Sequence, residues 1–213
     1  MRKLALSDEI LLQIDKSARY IGGEVNSVMK SEDVDIKVAM AFPDVYEIGM
    51  SNLGMMILYD MFNQRDDVWC ERLFSPWTDL DQVMREKNIP LFTLESQRPV
   101  KECDFLAITL GYEMCYTNVL QLLDLSQMPL LARDRGEEYP LVIGGGACAY
   151  NPEPIAPFFD MFYIGEGETV YDALFDAYKA NRAAGGTKEE FLVKAANIPG
   201  IYVPAFYDVT YQE

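Results

Sequence analysis

Five strand-length apolar runs, each followed by a helical stretch or a glycine-bearing turn, constrain this chain more than any other feature. They are Ile36-Lys37-Val38-Ala39-Met40-Ala41-Phe42, Val68-Trp69-Cys70-Glu71-Arg72-Leu73-Phe74, Asp104-Phe105-Leu106-Ala107-Ile108-Thr109-Leu110-Gly111, Leu141-Val142-Ile143 and Asp160-Met161-Phe162-Tyr163-Ile164. Strands buried on both faces read as near-continuous apolar runs, and parallel neighbours need a crossover, usually a helix, to return the chain to the same end. The alternation therefore predicts an α/β fold, a flavodoxin-like or Rossmann-like open parallel five-stranded sheet in the order 2-1-3-4-5 with helices on both faces. At 213 residues, half of them hydrophobic, the chain is long enough to bury one core of that size.

The helices have their own signals. Ser7 as N-cap, Asp8 and Glu9 in a first turn, and Ile10, Leu11, Ile14 and Ala18 at helical spacing predict an N-terminal helix that ends before Gly22-Gly23. Ser51 or Asn52 caps a helix whose apolar face carries Met55, Ile57, Leu58, Met61 and Phe62. Further helices are expected over 80–87, 116–127, 169–179 and 188–196, with short extended pieces at 91–94 and 201–207. The chain divides into an N-terminal helix-and-loop extension (1–35), the α/β domain (36–183) and a C-terminal appendage or linker (184–213). Because Tyr211-Gln212-Glu213 carries no closing signal, the chain is expected to be part of a longer protein.

Composition removes several classes of function. Net charge is −16, with 34 acidic against 18 basic residues, which disfavours nucleic acid as a partner. No apolar run reaches membrane-spanning length and Met1-Arg2-Lys3-Leu4 runs at once into polar Ser7-Asp8-Glu9, so a cytoplasmic location without membrane contact is expected. There is no histidine, which excludes His-dependent triads, and neither a Walker-type loop nor a dinucleotide Gly-x-Gly-x-x-Gly occurs. Cys70, Cys103, Cys115 and Cys148 lack the close spacing of a metal or cluster site and read as reduced thiols. Neither a catalytic residue nor a metal ligand is assigned.

Open parallel sheets bind ligands at the carboxyl ends of their strands, and three loops lie there. Asp44-Val45-Tyr46-Glu47-Ile48-Gly49 follows the first strand, with Asp44 placed either for a site or for an Asx-turn after Pro43, and Tyr46 for a site or for buried packing. Gly144-Gly145-Gly146 permits either a tight turn or close approach of backbone to a flat ligand. In Gly165-Glu166-Gly167-Glu168, Glu166 suits a helix cap or a ligand contact, while Met50, Met55 and Met56 read as core filler.

Asp44-x-Tyr46-x-x-Gly49, Thr109-Leu110, Gly144-Gly145-Gly146 with Pro152, and Gly165-Glu166-Gly167-Glu168, taken in order, resemble the N-terminal cobalamin-binding-like domain of radical S-adenosylmethionine (radical SAM) proteins. Arg19-Tyr20-Ile21-Gly22-Gly23-Glu24, Leu94-Glu95-Ser96-Gln97 and Tyr112-Glu113-Met114-Cys115-Tyr116-Thr117-Asn118 are similar to a bacterial subfamily of these iron–sulfur oxidoreductases. The resemblance implies a partner, the C-terminal radical SAM domain of the same protein, which would carry the [4Fe–4S] cluster and S-adenosylmethionine through a Cys-x-x-x-Cys-x-x-Cys triad that this chain lacks. It further implies a cobalamin whose nucleotide tail enters among Asp44 to Gly49, Thr109, Leu110 and Gly144, Gly145 and Gly146, with Glu166 on the rim. In the parent motif a histidine stands at position 46 and ligates cobalt; with Tyr46 there, the implied corrinoid is base-off and His-off. The alternative is a scaffold or docking domain that keeps the fold without the cofactor.

Overall fold

The structure, a computed structural model, describes residues 4–208 and 210, so Met1 to Lys3, Val209 and Tyr211 to Glu213 lie outside the described residues. Among the described residues, six strands form one sheet: β1 (Ile36–Phe42), β2 (Val68–Phe74), β3 (Phe105–Thr109), β4 (Leu141–Gly145), β5 (Met161–Tyr163) and β6 (Ile201–Tyr202). Their order is β2-β1-β3-β4-β5-β6. The first five are parallel in the expected order, and the sixth is an addition. β6 forms inside the terminal extended stretch and runs antiparallel to β5, with Phe162 opposite Tyr202. Pro204, which has no amide hydrogen for a ladder, follows closely and opens a 3-10 turn.

Among the described residues, seven α-helical segments accompany the sheet: α1 (Asp8–Leu11), α2 (Tyr46–Gly49), α3 (Leu53–Gln64), α4 (Thr78–Lys87), α5 (Tyr116–Leu125), α6 (Tyr171–Ala183) and α7 (Lys188–Ala195). Strand side chains alternate between two cores. Ile36, Val38, Met40 and Phe42 of β1 join Met55, Tyr59 and Phe62 of α3 and Leu174 and Phe175 of α6. Ala39 and Ala41 turn the other way, toward Leu80 and Met84 of α4 and Val119 and Leu122 of α5. On α3 the buried stripe runs through Tyr59 and leaves Ile57 exposed, because 55, 59 and 62 share one helical face. Asn52 is the cap, accepting the Met55 amide at 2.9 Å.

The N-terminal segment departs from a continuous helix. Ser7 caps α1 as expected, accepting the Ile10 amide at 3.4 Å. The helix stops at Leu11, and after Lys16 at φ 48° the chain resumes as a 3-10 turn over Ser17–Tyr20. This break lets Ile10, Ile14 and Tyr20 all bury against the α4 side, where the Tyr20 hydroxyl accepts the Trp77 amide at 3.0 Å.

β2 is an edge strand, and exposed edges invite pairing with other chains. Here two irregular segments cover it. Leu94 donates its amide to the Arg72 carbonyl at 2.8 Å, and Phe92 bridges to Pro99, so residues 92–99 fold over the edge. Arg72 is fully buried: its Nε donates to Glu95 Oε1 at 2.7 Å and its own amide donates to Glu95 Oε2 at 2.7 Å. The remaining guanidinium nitrogens donate to Asn26 Oδ1 and Ser27 Oγ, both at 3.1 Å, and the group lies 4.3 Å above the Tyr59 ring. On the opposite side of the strand, buried Glu71 accepts from Thr93, from Ser96 and from Arg98 Nε.

Removing one partner of such a pair strands the other charge in the interior. Arg72→Ala or Glu95→Ala is therefore expected to lower unfolding free energy by about 3–5 kcal/mol, whereas Arg72→Met combined with Glu95→Leu should lose much less than the sum, as read from guanidinium denaturation.

The N-terminal segment is also held by charge at the surface. Arg19 donates to Glu47 Oε1 from Nε at 3.0 Å and from Nη2 at 2.9 Å, with Lys16 at 3.2 Å. The Arg19 hydrogen bonds bring the Glu47 carboxyl down to about 2. A carboxylate depressed in the folded state stabilises fully above its ordinary range and loses that contribution as pH falls toward its folded value. Carboxyl-detected NMR should accordingly place the Glu47 titration near 2, and Arg19→Ala should return it toward the ordinary carboxylate range.

Candidate functional site

A cleft of about 240 Å³ opens at the carboxyl ends of β1, β3, β4 and β5, on the side covered by α3 and α6. It sits beside β1 and β3, where the strand order reverses and sheets of this kind bind ligands. Small side chains make it. Ala107, in the middle of β3, is only half-buried, and Gly145 at the end of β4 pairs with Thr109, so the sheet surface is left bare between the two helices. Met55, Leu58 and Phe62 of α3 form one wall, and Tyr163, Tyr171 and the turn at 165–168 form the other.

That turn is fixed by its neighbours. The Tyr163 hydroxyl donates to the Glu166 carbonyl at 2.7 Å, and Gly165 adopts φ 147°, where a Cβ would meet the same hydroxyl at 2.9 Å. Glu166 and Glu168 are exposed at the mouth, and no Lys or Arg among the described residues lines the cleft.

Thr109, Gly145, Gly146 and Glu166, from the residues that the sequence proposed, line this cleft; Asp44, Tyr46, Gly49, Leu110 and Gly144 do not. Residues 46–49 form the short helix α2 instead of an open loop. Tyr46 turns toward β2, with its ring edge-on to Phe74 at 5.5 Å and its hydroxyl donating to Glu24 Oε1 at 3.2 Å. Burial, with Glu24 adding to it, raises the Tyr46 phenol above its usual value and keeps it a neutral donor. Asp44 accepts the Val45 amide at 2.7 Å and the Tyr112 hydroxyl at 3.3 Å.

The glycines divide by task. At Gly49 a Cβ would run into the Phe74 ring, and at Gly144 it would meet Phe162 at 2.7 Å, so both glycines allow close packing. Gly146 has φ 108° and a Cβ there would lie 2.8 Å from the Leu110 carbonyl oxygen, which fixes the turn. Gly145 and Gly146 both line the cleft, and at Gly145 a Cβ would meet only ordinary contacts, with the Tyr171 hydroxyl 3.5 Å away. Sequence reasoning did not single out Ala107 or Tyr171. The stripe Tyr171, Leu174, Phe175 and Tyr178, at helical spacing against the sheet, was the available signal for the latter.

Residues 54–204 match the model of the N-terminal region of radical SAM proteins. The chain belongs to this family. A protein of Methanocaldococcus jannaschii described as uncharacterized is 27% identical to this radical SAM N-terminal domain over 134 residues, 62% of this chain. The matched stretch is 24% of that protein's length. No solved structure matches the domain.

Within the described residues of this radical SAM N-terminal domain, no group of three or more His, Cys, Asp or Glu could hold a metal ion, and all four cysteines are buried free thiols. No helix among those residues is long and apolar enough to cross a membrane. The cleft suits a flat, largely apolar group, because a glycine backbone forms part of its floor and aliphatic and aromatic side chains form its walls.

The two cleft glycines separate by substitution. Gly146→Ala forces a positive φ and a backbone clash and is expected to cost about 1–3 kcal/mol, while Gly145→Ala should stay within about 0.5 kcal/mol, both measured by chemical denaturation.

Proposed function

We propose that this domain holds a corrinoid for the catalytic domain of a radical SAM protein, with the flat base of the corrinoid's tail in the cleft and no protein imidazole on cobalt. The observation that carries the reading is the glycine-floored cleft at the switch point, lined by Thr109, Gly145, Gly146 and Glu166. Gly49 and Gly144 would act indirectly, by letting the rim pack closely enough to leave the cleft open. Membership of the family supports a catalytic domain in the same protein that carries the [4Fe–4S] cluster and S-adenosylmethionine. A corrinoid without a protein imidazole would supply methyl-transfer or electron-transfer chemistry to that domain.

The residues of this chain would bind and orient. Tyr46, held by Glu24, offers no nitrogen and stands aside from the cleft. Ile48, Leu53, Tyr112, Met114 and Tyr150 follow strand ends and are exposed, so the rim presents apolar surface to a large flat ring or to the catalytic domain.

One observation favours a second reading, that of a docking scaffold without cofactor. Tyr46 and Asp44 are already engaged, the first with Glu24 and the second with the Val45 amide and Tyr112. The two readings separate when the purified chain is mixed with hydroxocobalamin, desalted and examined by visible spectroscopy. Stoichiometric retention with a base-off spectrum, abolished by Gly145→Leu in a variant whose circular dichroism is unchanged, supports the corrinoid reading. Absence of retention at high-micromolar cobalamin overturns it in favour of docking.

A further inference from the structure

We infer that residues 24–30 are a strap hinged at Gly22-Gly23 and braced against the outer flank of α3, and that its release lets one end of α3 swing away from α6. The strap is thus a gate that works from outside the cleft, whichever ligand enters.

Polar contacts hold the strap, with little apolar burial behind them. From Ile21 to Asp35 no residue is buried and no helix or strand forms, whereas Tyr20 before the segment and Ile36 after it are buried. Val25 is fully exposed. A segment that buries so little apolar surface opens locally at far less cost than the core. Gly22 and Gly23 take φ 62° and 92°, and a Cβ at Gly23 would meet nothing, so the backbone there has both freedom and room to turn. The fixed side of this hinge is set by Gln97, whose Nε2 donates to the Tyr20 carbonyl at 3.1 Å. Arg19-Tyr20-Ile21-Gly22-Gly23-Glu24 and Leu94-Glu95-Ser96-Gln97, which the cleft leaves unexplained, therefore meet in one device.

The strap bears on α3. Its Val28 amide donates to the Tyr59 hydroxyl at 2.7 Å, Asn26 Nδ2 to Met56 Sδ at 3.8 Å, and Lys30 Nζ to the Asn63 carbonyl at 2.8 Å. Asn26 and Ser27 accept from Arg72, so closing the strap completes the hydrogen bonding of that buried guanidinium. By helical phase, Met56 and Asn63 lie on one flank of the buried stripe, and Gly54 and Leu58, which line the cleft, lie on the other. The far end of α3 is tied to α6 by Arg65, which donates to Asp172 at 2.8 Å and to Asp176 at 2.6 Å. Release of the strap consequently pivots α3 about Arg65 and widens the cleft beside Gly54 and Leu58. Widening has a use, because about 240 Å³ falls below the roughly 300–1,000 Å³ of sites for drug-sized ligands.

The test places a thiol on the cleft floor, Ala107→Cys in the full chain, and follows its labelling by fluorescein maleimide with peptide mapping, beside exchange of the Val28 amide by NMR. The reagent is too large for the closed cleft. Labelling at 107 and exchange at Val28 should share one shallow urea dependence, while Cys70, reached only through global unfolding, follows a steep one. Tyr59→Phe keeps the ring, removes the acceptor of the Val28 amide, and should speed both by about fivefold. Labelling at 107 that follows the Cys70 dependence, or that ignores Tyr59→Phe while Val28 exchange accelerates, overturns the inference. So does Val28 exchange that follows the Cys70 dependence in the unsubstituted chain, because the strap then does not open by itself.

Discussion

The fold depends on one buried ion pair, Arg72 with Glu95, because each charge is tolerable in the interior only when every segment around it is in place. Both side chains are fully buried. Burial pushes the Glu95 carboxyl up while Arg72 pulls it down, and the guanidinium draws in Asn26 and Ser27 from the N-terminal segment, with Glu24 Oε2 at 3.8 Å. Desolvating two ions is costly, and the cost is offset only by near-complete hydrogen bonding. The pair therefore couples three stretches distant in sequence: residues 24–27, the edge strand β2 and the loop at 92–99. It also reaches the site, since Glu24 takes the Tyr46 hydroxyl and so helps to hold that ring on the β2 side of the rim.

This coupling explains which parts of the fold could be read from the sequence. β1 and β2 were legible to the residue because an apolar run stopped by Pro43 or Pro76 leaves little choice of bounds. The strand order followed from handed crossovers between parallel strands. The cover over β2 was not legible. A charged residue inside a strand reads as solvent-facing, and nothing local in Glu71-Arg72 announces that Glu95 and Arg98, carried on a loop beyond α4, will meet them. The same limit applies to the N-terminal segment, where the spacing of Ile10, Ile14 and Ala18 suggests one helix while the packing of Tyr20 requires a break after Leu11.

At the cleft, sequence showed that glycines gather at strand ends, and the structure separates their roles. Gly49 and Gly144 serve packing against Phe74 and Phe162, Gly146 serves backbone geometry, and Gly145 serves the cavity. A run of three glycines carries no mark of that division, which is set by neighbours far away in the chain. Thr109 and Glu166 could be placed because the first ends β3 and the second lies in the turn after β5, whereas Tyr171 lies further on and enters only through the phase of α6.

The floor of the cleft owes its shape to the small side chains of Ala107 and Gly145 rather than to any costly buried group. Such a site is easily erased. One base change in a glycine codon can introduce a valine, and at position 145 its Cβ would lie 3.5 Å from the Tyr171 hydroxyl and 3.9 Å from the Tyr163 carbonyl oxygen, ordinary contact distances on the lining of the cleft. Natural selection acting on folding alone would not oppose that change. Among descendants of a common ancestor, the architecture would therefore persist long after the pocket had closed, and the residue at position 145 becomes a record of whether a lineage has kept the cleft open.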